Sequence, residues 1–290
     1  MALLEVDKYS VFYKIKHNKK KAENNSRITP INNRSALLKV VNGVSLEVEK
    51  SDILGIVGES GCGKTTLTKG ILSQLEHTEG VVKIDGKSIE DLSRSDLSKS
   101  IQMIFQNPAG SFNPHYRIRK SLGEVAIIHH ISKEDYNKRL HKLLKSTSLD
   151  EELLDRYPSQ LSGGQLQRFA IVRALLVQPK VLIADEAVAA LDVSIRGDIL
   201  KLLVKLHKEL EVGILFISHD LNVVKNICNK VVVMYLGEIV EAGDTETVYN
   251  SPQHEYTKRL LASKTRTNPD EIREHEYEFV DVPNIFDAAL

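Results

Sequence analysis

Apolar residues in this chain fall into two patterns, short continuous runs and stripes at helical spacing. Ile53-Leu54-Gly55-Ile56-Val57, Ile101-Gln102-Met103-Ile104-Phe105, Val181-Leu182-Ile183-Ala184, Gly213-Ile214-Leu215-Phe216-Ile217 and Val231-Val232-Val233-Met234 predict short strands, most of them buried on both faces. Helical spacing is found from Lys64 to Leu75, with Leu67, Ile71, Leu72 and Leu75 on one stripe, and again over 120–130, 134–147, 165–177, 195–210 and 220–228. Strand and helix alternate in the second half, as right-handed crossovers between parallel strands require. Residues 3–13 alternate loosely and carry Tyr9, Phe12 and Tyr13, which predicts a strand, and Leu38–Val48 predicts another. Val81–Gly86 reads as a strand and turn. The expected fold class is α/β, with a mostly parallel sheet. A link containing Pro108, Gly110 and Pro114 opens an inserted helical subdomain at about 107–179. No internal repeat is found.

Two polar stretches interrupt this grammar. Lys14–Ala36 carries Lys14, Lys16 and Lys19-Lys20-Lys21 and reads as a solvated loop, with a binding patch as the alternative. Asn268–Leu290 holds seven carboxylates against the single base Arg273, so the domain is expected to span 1–262 and be followed by an acidic tail at 263–290, peripheral or docking to a partner.

Charge then narrows the function classes. Lys+Arg and Asp+Glu are both 39 among 290 residues, so no overall basic field favours nucleic acid. No apolar run approaches the roughly 20 residues that span a bilayer, and Met1–Asp7 lacks the plan of a signal peptide, so a cytoplasmic location is expected. Cys62 and Cys228 are expected to be reduced thiols, because a disulfide between them would jam the glycine loop that contains Cys62.

That loop carries the strongest chemical signal. Gly58-Glu59-Ser60-Gly61-Cys62-Gly63-Lys64-Thr65 fits G-x-x-x-x-G-K-[ST] between a strand and a helix. Its glycines permit positive φ and inward N–H groups, and the helix dipole favours anions at the same place. A polyphosphate is expected on Gly61–Thr66, with Lys64 bridging the outer phosphates and the Thr65 hydroxyl on Mg2+.

Val181–Ala184 ends in Asp185-Glu186, placing two carboxylates at the ligand-binding edge of a parallel sheet. Asp185 suits Mg2+ held through water, and Glu186 suits orienting or deprotonating an attacking water. Leu161-Ser162-Gly163-Gly164-Gln165 precedes another helical stretch and offers a second anion site or a simple helix cap. The nine histidines other than His219 show no coherent metal-ligand spacing.

The pentapeptide at 161–165, together with the phosphate loop and Asp185-Glu186, resembles the ATP-binding-cassette ATPases over about residues 4–262. The resemblance implies a P-loop core, an N-terminal antiparallel β subdomain and ATP hydrolysis with Mg2+. It implies a head-to-tail partner ATPase whose Ser162-Gly163-Gly164-Gln165 equivalent closes over the γ-phosphate. Gln106 matches the glutamine loop that senses Mg2+ and contacts membrane subunits, Ala190-Leu191-Asp192 the D-loop, and His219 the switch histidine. Tyr13 stands where an aromatic stacks on adenine, with Phe12 competing for the role and core packing as the other reading. Two residues depart from the pattern, Ala187 in place of a proline and Ala189 in place of a serine. Hydrolysis is expected to survive both.

Gln102–Pro108, Ser111–Pro114, Ala190–Ile195 and Ser251-Pro252-Gln253-His254-Glu255-Tyr256-Thr257 resemble the ATPase subunits of oligopeptide, dipeptide and nickel importers, and the long polar insertion near residues 14–36 resembles the second ATPase of those systems. The implied partners are a paralogous or identical ATPase, two transmembrane permease subunits and an extracytoplasmic solute-binding protein, at the cytoplasmic face of the membrane. Relatives often carry a cysteine-rich extension after that last stretch, and its lack here argues against an iron–sulfur cluster. The alternative, a soluble cassette acting on nucleic acid, ribosomes or proteins, predicts coiled-coil or tandem-cassette architecture.

Overall fold

The computed structural model describes residues 2–16, 26–32 and 34–265. Residues 17–25 and 33 of the polar stretch, and the acidic stretch Asn268–Leu290, lie outside the described residues. The strands are β1 (Ala2–Lys16), β2 (Ile28–Pro30), β3 (Ser35–Glu49), β4 (Ile53–Val57), β5 (Thr78–Ile84), β6 (Lys87–Ser88), β7 (Ile101–Ile104), β8 (Val181–Asp185), β9 (Gly213–Ile217), β10 (Lys230–Tyr235) and β11 (Glu238–Asp244). The helices are α1 (Lys64–Ile71), α2 (Arg94–Ser100), α3 (Ile118–Ile128), α4 (Lys133–Thr147), α5 (Gly163–Leu175), α6 (Val193–Leu210), α7 (Leu221–Ile227), α8 (Thr245–Asn250) and α9 (Glu255–Thr265). Short 3-10 turns join several of them. The described chain forms two compact units.

The first unit takes residues 2–4, 48–53 and 84–217. In it β7, β8 and β9 run parallel, with Ile104 opposite Ala184 and Ala184 opposite Phe216. Every residue of β8 and β9 is buried, which is why those runs lack polar alternation. Each large apolar side chain withdrawn there stabilises the sheet by about 1.5–3 kcal/mol. Between β7 and β8 the chain passes through α3, α4 and α5, which bury apolar stripes including Leu122, Leu140, Leu144 and Phe169. Ser132 caps α4 by accepting the Asp135 N–H at 3.1 Å, which fixes where that helix begins.

The second unit takes 5–16, 26–32, 34–47, 54–83 and 218–265. Here β10 pairs parallel with β4 and antiparallel with β11. The strand order β2-β3-β1-β5 builds a separate sheet, in which β2 and β3 are antiparallel. Its core includes Ile28, Ala36, Leu38 and Val40. Helix α1 is shorter than the apolar stripe predicts, because Ser73 turns left-handed at φ 54° and its N–H bonds to the Gly70 carbonyl. Helices α2, α8 and α9 and strands β2, β6 and β11 are additions to the sequence reading. Lys14–Lys16 in β1, β2 itself and Ser35–Ala36 in β3 are strand where the stretch 14–36 reads as a loop, because Ile28 and Ala36 are buried. No described helix is long and apolar enough to cross a membrane.

Candidate functional site

The second unit positions the glycine loop at the end of the fully buried strand β4. Gly58, Gly61 and Gly63 all adopt positive φ, at 153°, 82° and 111°. At Gly58 the requirement is also steric, since a Cβ would stand 2.2 Å from the Met234 carbonyl oxygen. The loop therefore lies directly on the end of β10. Cys62 offers its carbonyl to the Gly237 N–H at 2.8 Å, and its buried thiol is pushed up by desolvation against the lowering influence of Lys64.

Lys64 begins α1 and is only 7% exposed. Its ammonium donates to the carbonyls of Gly58 at 2.7 Å and Glu59 at 2.8 Å, inside the turn. Ser60 and Thr65 are exposed, Gly61 is half-buried, and Gly63 and Thr66 are buried. A helix N-terminus with no acidic residue in its first turn, preceded by left-handed glycines and a lysine ammonium, fits a polyphosphate.

His219 belongs to the same unit. Ser218 donates its N–H to the Ile56 carbonyl at 3.3 Å, and the Asp220 carboxylate caps α7 by accepting the N–H groups of Asn222 and Val223. These bonds fix the backbone on both sides of the exposed imidazole, just past the end of β4. Tyr13 is half-buried against the cluster of Ile28, Ala36, Leu38 and Val40. Phe12, its competitor, is buried at 9% exposure with the Lys39 ammonium 5.2 Å from its ring centroid.

The first unit holds the carboxylates. Asp185 ends β8 and is 9% exposed, and Glu186 follows in the left-handed region at φ 47°, its N–H bonded to the Ile217 carbonyl at 3.0 Å. That φ turns the chain sharply off the strand end and aims the next residues into a tight loop. Ala189 N–H closes the loop onto the Glu186 carbonyl at 2.9 Å. Gln106, exposed, leaves the end of β7 beside β8, so Gln106 and Glu186 share one sheet edge. Asp192 is exposed at the start of α6, and its carbonyl accepts the Arg196 N–H at 2.8 Å.

Ser162 caps α5 in a reciprocal box, accepting the Gln165 N–H at 3.2 Å while the Gln165 side chain accepts the Ser162 N–H at 3.0 Å. The α5 N-terminus packs on the start of α6, since a Cβ on Gly164 would stand 2.7 Å from Ile195 Cγ2. Gly163 is exposed, with only Leu191 at ordinary contact distance. The structure thus brings the pentapeptide at 161–165 against the loop at 190–192 and the helix that follows it, within one unit.

Several supporting residues escape sequence reasoning. Gln167 donates its amide to the Ala187 carbonyl, next to Glu186, and Gly237 holds Cys62. Tyr256, noticed only as part of a family-like stretch, accepts the Glu59 N–H at 3.0 Å. Gln167 sits two residues beyond the pentapeptide on the buried face of α5, the one local signal that could have singled it out. Among the described residues no cluster of His, Cys, Asp and Glu gathers to hold a metal by itself.

Comparison with known proteins follows the same lines. Residues 41–189 match the family described as ABC transporter. The chain is 41% identical to the di/tripeptide transport ATP-binding protein DppF of Pseudomonas aeruginosa, over 81% of this chain and 74% of that protein. It is 43% identical to the dipeptide transport ATP-binding protein DppF of Escherichia coli, over 82% and 72% respectively. Among solved structures, cbiO1 from Clostridium perfringens, part of the ABC transporter complex cbiONQ, superposes with a TM-score of 0.71 at 27% identity, covering 93% of this chain and 97% of that one. A dimeric post-hydrolysis ATP-binding cassette bound to ADP and Pi gives 0.67 at 27% identity, covering 83% and 98%. The matched span contains the glycine loop at 58–65, the capped pentapeptide at 161–165 and the carboxylates Asp185 and Glu186, and the chain belongs to the ABC transporter family, as an ATP-binding ATPase subunit.

Proposed function

We propose that this chain is the ATP-hydrolysing subunit of an importer of peptides, or of a related small solute such as nickel or a metal chelate. The observation that carries this reading is its 41–43% identity, over about four fifths of its length, to ATP-binding proteins of di/tripeptide and dipeptide transport. Its partners in this reading are a second, paralogous ATPase, two transmembrane permease subunits and, through the complex, an extracytoplasmic solute-binding protein. It works at the cytoplasmic face of the membrane.

The residues divide the labour as follows. Gly58, Ser60, Gly61, Cys62, Gly63, Thr65 and Thr66 present backbone and hydroxyl groups to the phosphates of ATP, and Lys64 neutralises the outer ones. Tyr13 supports adenine through its exposed edge. Mg2+ would supply charge neutralisation at the phosphates, and by the resemblance Thr65, Asp185 and Gln106 are the residues of this chain that would hold it, directly or through water. Glu186 orients and deprotonates water, and His219 donates a hydrogen bond to the γ-phosphate. Ser162, Gly163, Gly164 and Gln165, with Asp192 behind them, serve the ATP of the partner subunit. Opening and closing pass through the glutamine loop to a permease.

The test is ATP turnover by the assembled complex carrying Glu186→Gln. A fall of about 100-fold or more is expected for loss of the general base. Wild-type turnover would remove Glu186 from its role. Uptake of labelled dipeptides against nickel by vesicles containing the complex fixes the solute, and transport of neither sinks the importer reading.

A further inference from the structure

The stretch Ser251–Thr257 is hydrogen-bonded to the glycine loop through Tyr256. Tyr256 lies in the first turn of α9 and is 8% exposed. Its ring stacks on Tyr235 at the end of β10, with centroids 4.2 Å apart and planes 32° apart. The approach to the helix is pinned to β11. Glu241 accepts the N–H groups of Gln253 at 2.8 Å and His254 at 3.0 Å, and His254 Nδ1 accepts the Tyr256 N–H at 3.1 Å. The ring contact fixes the side chain, and the three backbone bonds fix the segment that carries it.

That hydroxyl accepts the Glu59 N–H at 3.0 Å. The Glu59 N–H and the Gly58 carbonyl belong to the same peptide group, and the carbonyl accepts the Lys64 ammonium at 2.7 Å. A peptide group is planar, so rotating its N–H away from Tyr256 rotates its carbonyl away from Lys64. Gly58, at φ 153°, gives the plane the freedom to turn when it is untethered.

We propose that Tyr256 is a positioning residue for ATP use, whose hydroxyl locks the Gly58–Glu59 peptide and so sets where the Lys64 ammonium stands in the phosphate loop. It acts through Lys64 and rests on the assignment of that lysine to the phosphates. Tyr235 supplies the platform, and Glu241 with His254 supplies the anchor. The stretch 251–257 is thereby part of the nucleotide machinery of this subunit, although it follows the phosphate loop by most of the chain.

Tyr256→Phe removes the hydroxyl and keeps the ring on Tyr235. In the assembled transporter the KM for ATP should rise about 3- to 10-fold, the factor expected for one neutral hydrogen bond. The kcat should stay within about twofold, because a displaced phosphate contact weakens ground state and transition state alike. Binding of a fluorescent ATP analogue to the full-length chain should weaken by the same factor. Unchanged KM and affinity with only a lowered melting temperature would show a purely structural tyrosine and overturn the proposal, as would a fall in kcat at constant KM. Lys64→Ala is run in parallel. If it abolishes binding while Tyr256→Phe changes nothing, the clamp alone is wrong; if it binds ATP like the wild type, the assignment of the loop fails and takes the clamp with it.

Discussion

The Gln167 side-chain amide donates to the Ala187 backbone carbonyl at 2.7 Å, and both residues are essentially inaccessible to solvent, at 0% and 1% exposure. This bond ties α5 to the residue that follows Glu186. Ala187 has no ring to restrain its own backbone, and the Gln167 amide holds its carbonyl in place.

Gln167→Leu preserves bulk but strands a buried carbonyl, at a cost of about 1–3 kcal/mol. Chemical denaturation should show that loss. Turnover should fall several-fold with little change in the KM for ATP, because Glu186 shifts while the phosphate loop does not. A variant with full turnover would separate this bond from the chemistry.

The contrast between neighbouring glycines makes a second prediction. Gly164→Ala drives a methyl to 2.7 Å from Ile195 Cγ2, whereas Gly163→Ala meets only Leu191 at 3.8 Å. The first should destabilise by about 1–3 kcal/mol through overpacking, the second far less. Adding Ile195→Ala to Gly164→Ala should recover part of the loss, so that the double variant is more stable than the two single changes sum to.

Acid exposes a third relationship. Arg119 grips Asp155 through Nε at 3.1 Å and Nη2 at 3.0 Å, and this hydrogen-bonded cation holds the carboxyl below the ordinary aspartate range. A depressed folded-state pKa contributes stability above the unfolded value of about 3.9 and loses it as pH falls through the folded value. The melting-temperature difference between wild type and Asp155→Asn should therefore be present at neutral pH, vanish in strong acid, and shrink with salt because the pair is exposed. A difference that persists undiminished in acid would assign the effect to packing.

The sequence was most readable where a side chain's job is local. Buried strands such as β8 and β9 announce themselves because no position faces water, and the glycine loop because its backbone demands particular residues at fixed spacing. Strand β11 was missed since its residues are half-buried or exposed throughout and give no alternation. Helix α2 was missed because it buries only Leu97. The end of α1 was overrun because an apolar stripe does not foretell a left-handed Ser73. Tyr256 and Gln167 were unreadable as supports for a different reason. Their partners lie 197 and 20 residues away in sequence, and a bond between a side chain and a remote backbone group leaves no periodic trace.

The discontinuity of the phosphate-loop unit also bears on how the protein is made. Residues 54–83 leave the ribosome early, but β10 beside β4, the Gly237 contact to Cys62 and the Tyr256 hydroxyl all come from 218–265. A nascent chain stalled before that segment carries the glycine loop without the neighbours that shape it. The supports of the loop at Gly237 and Tyr256 therefore arrive only when nearly all the described chain has been synthesised.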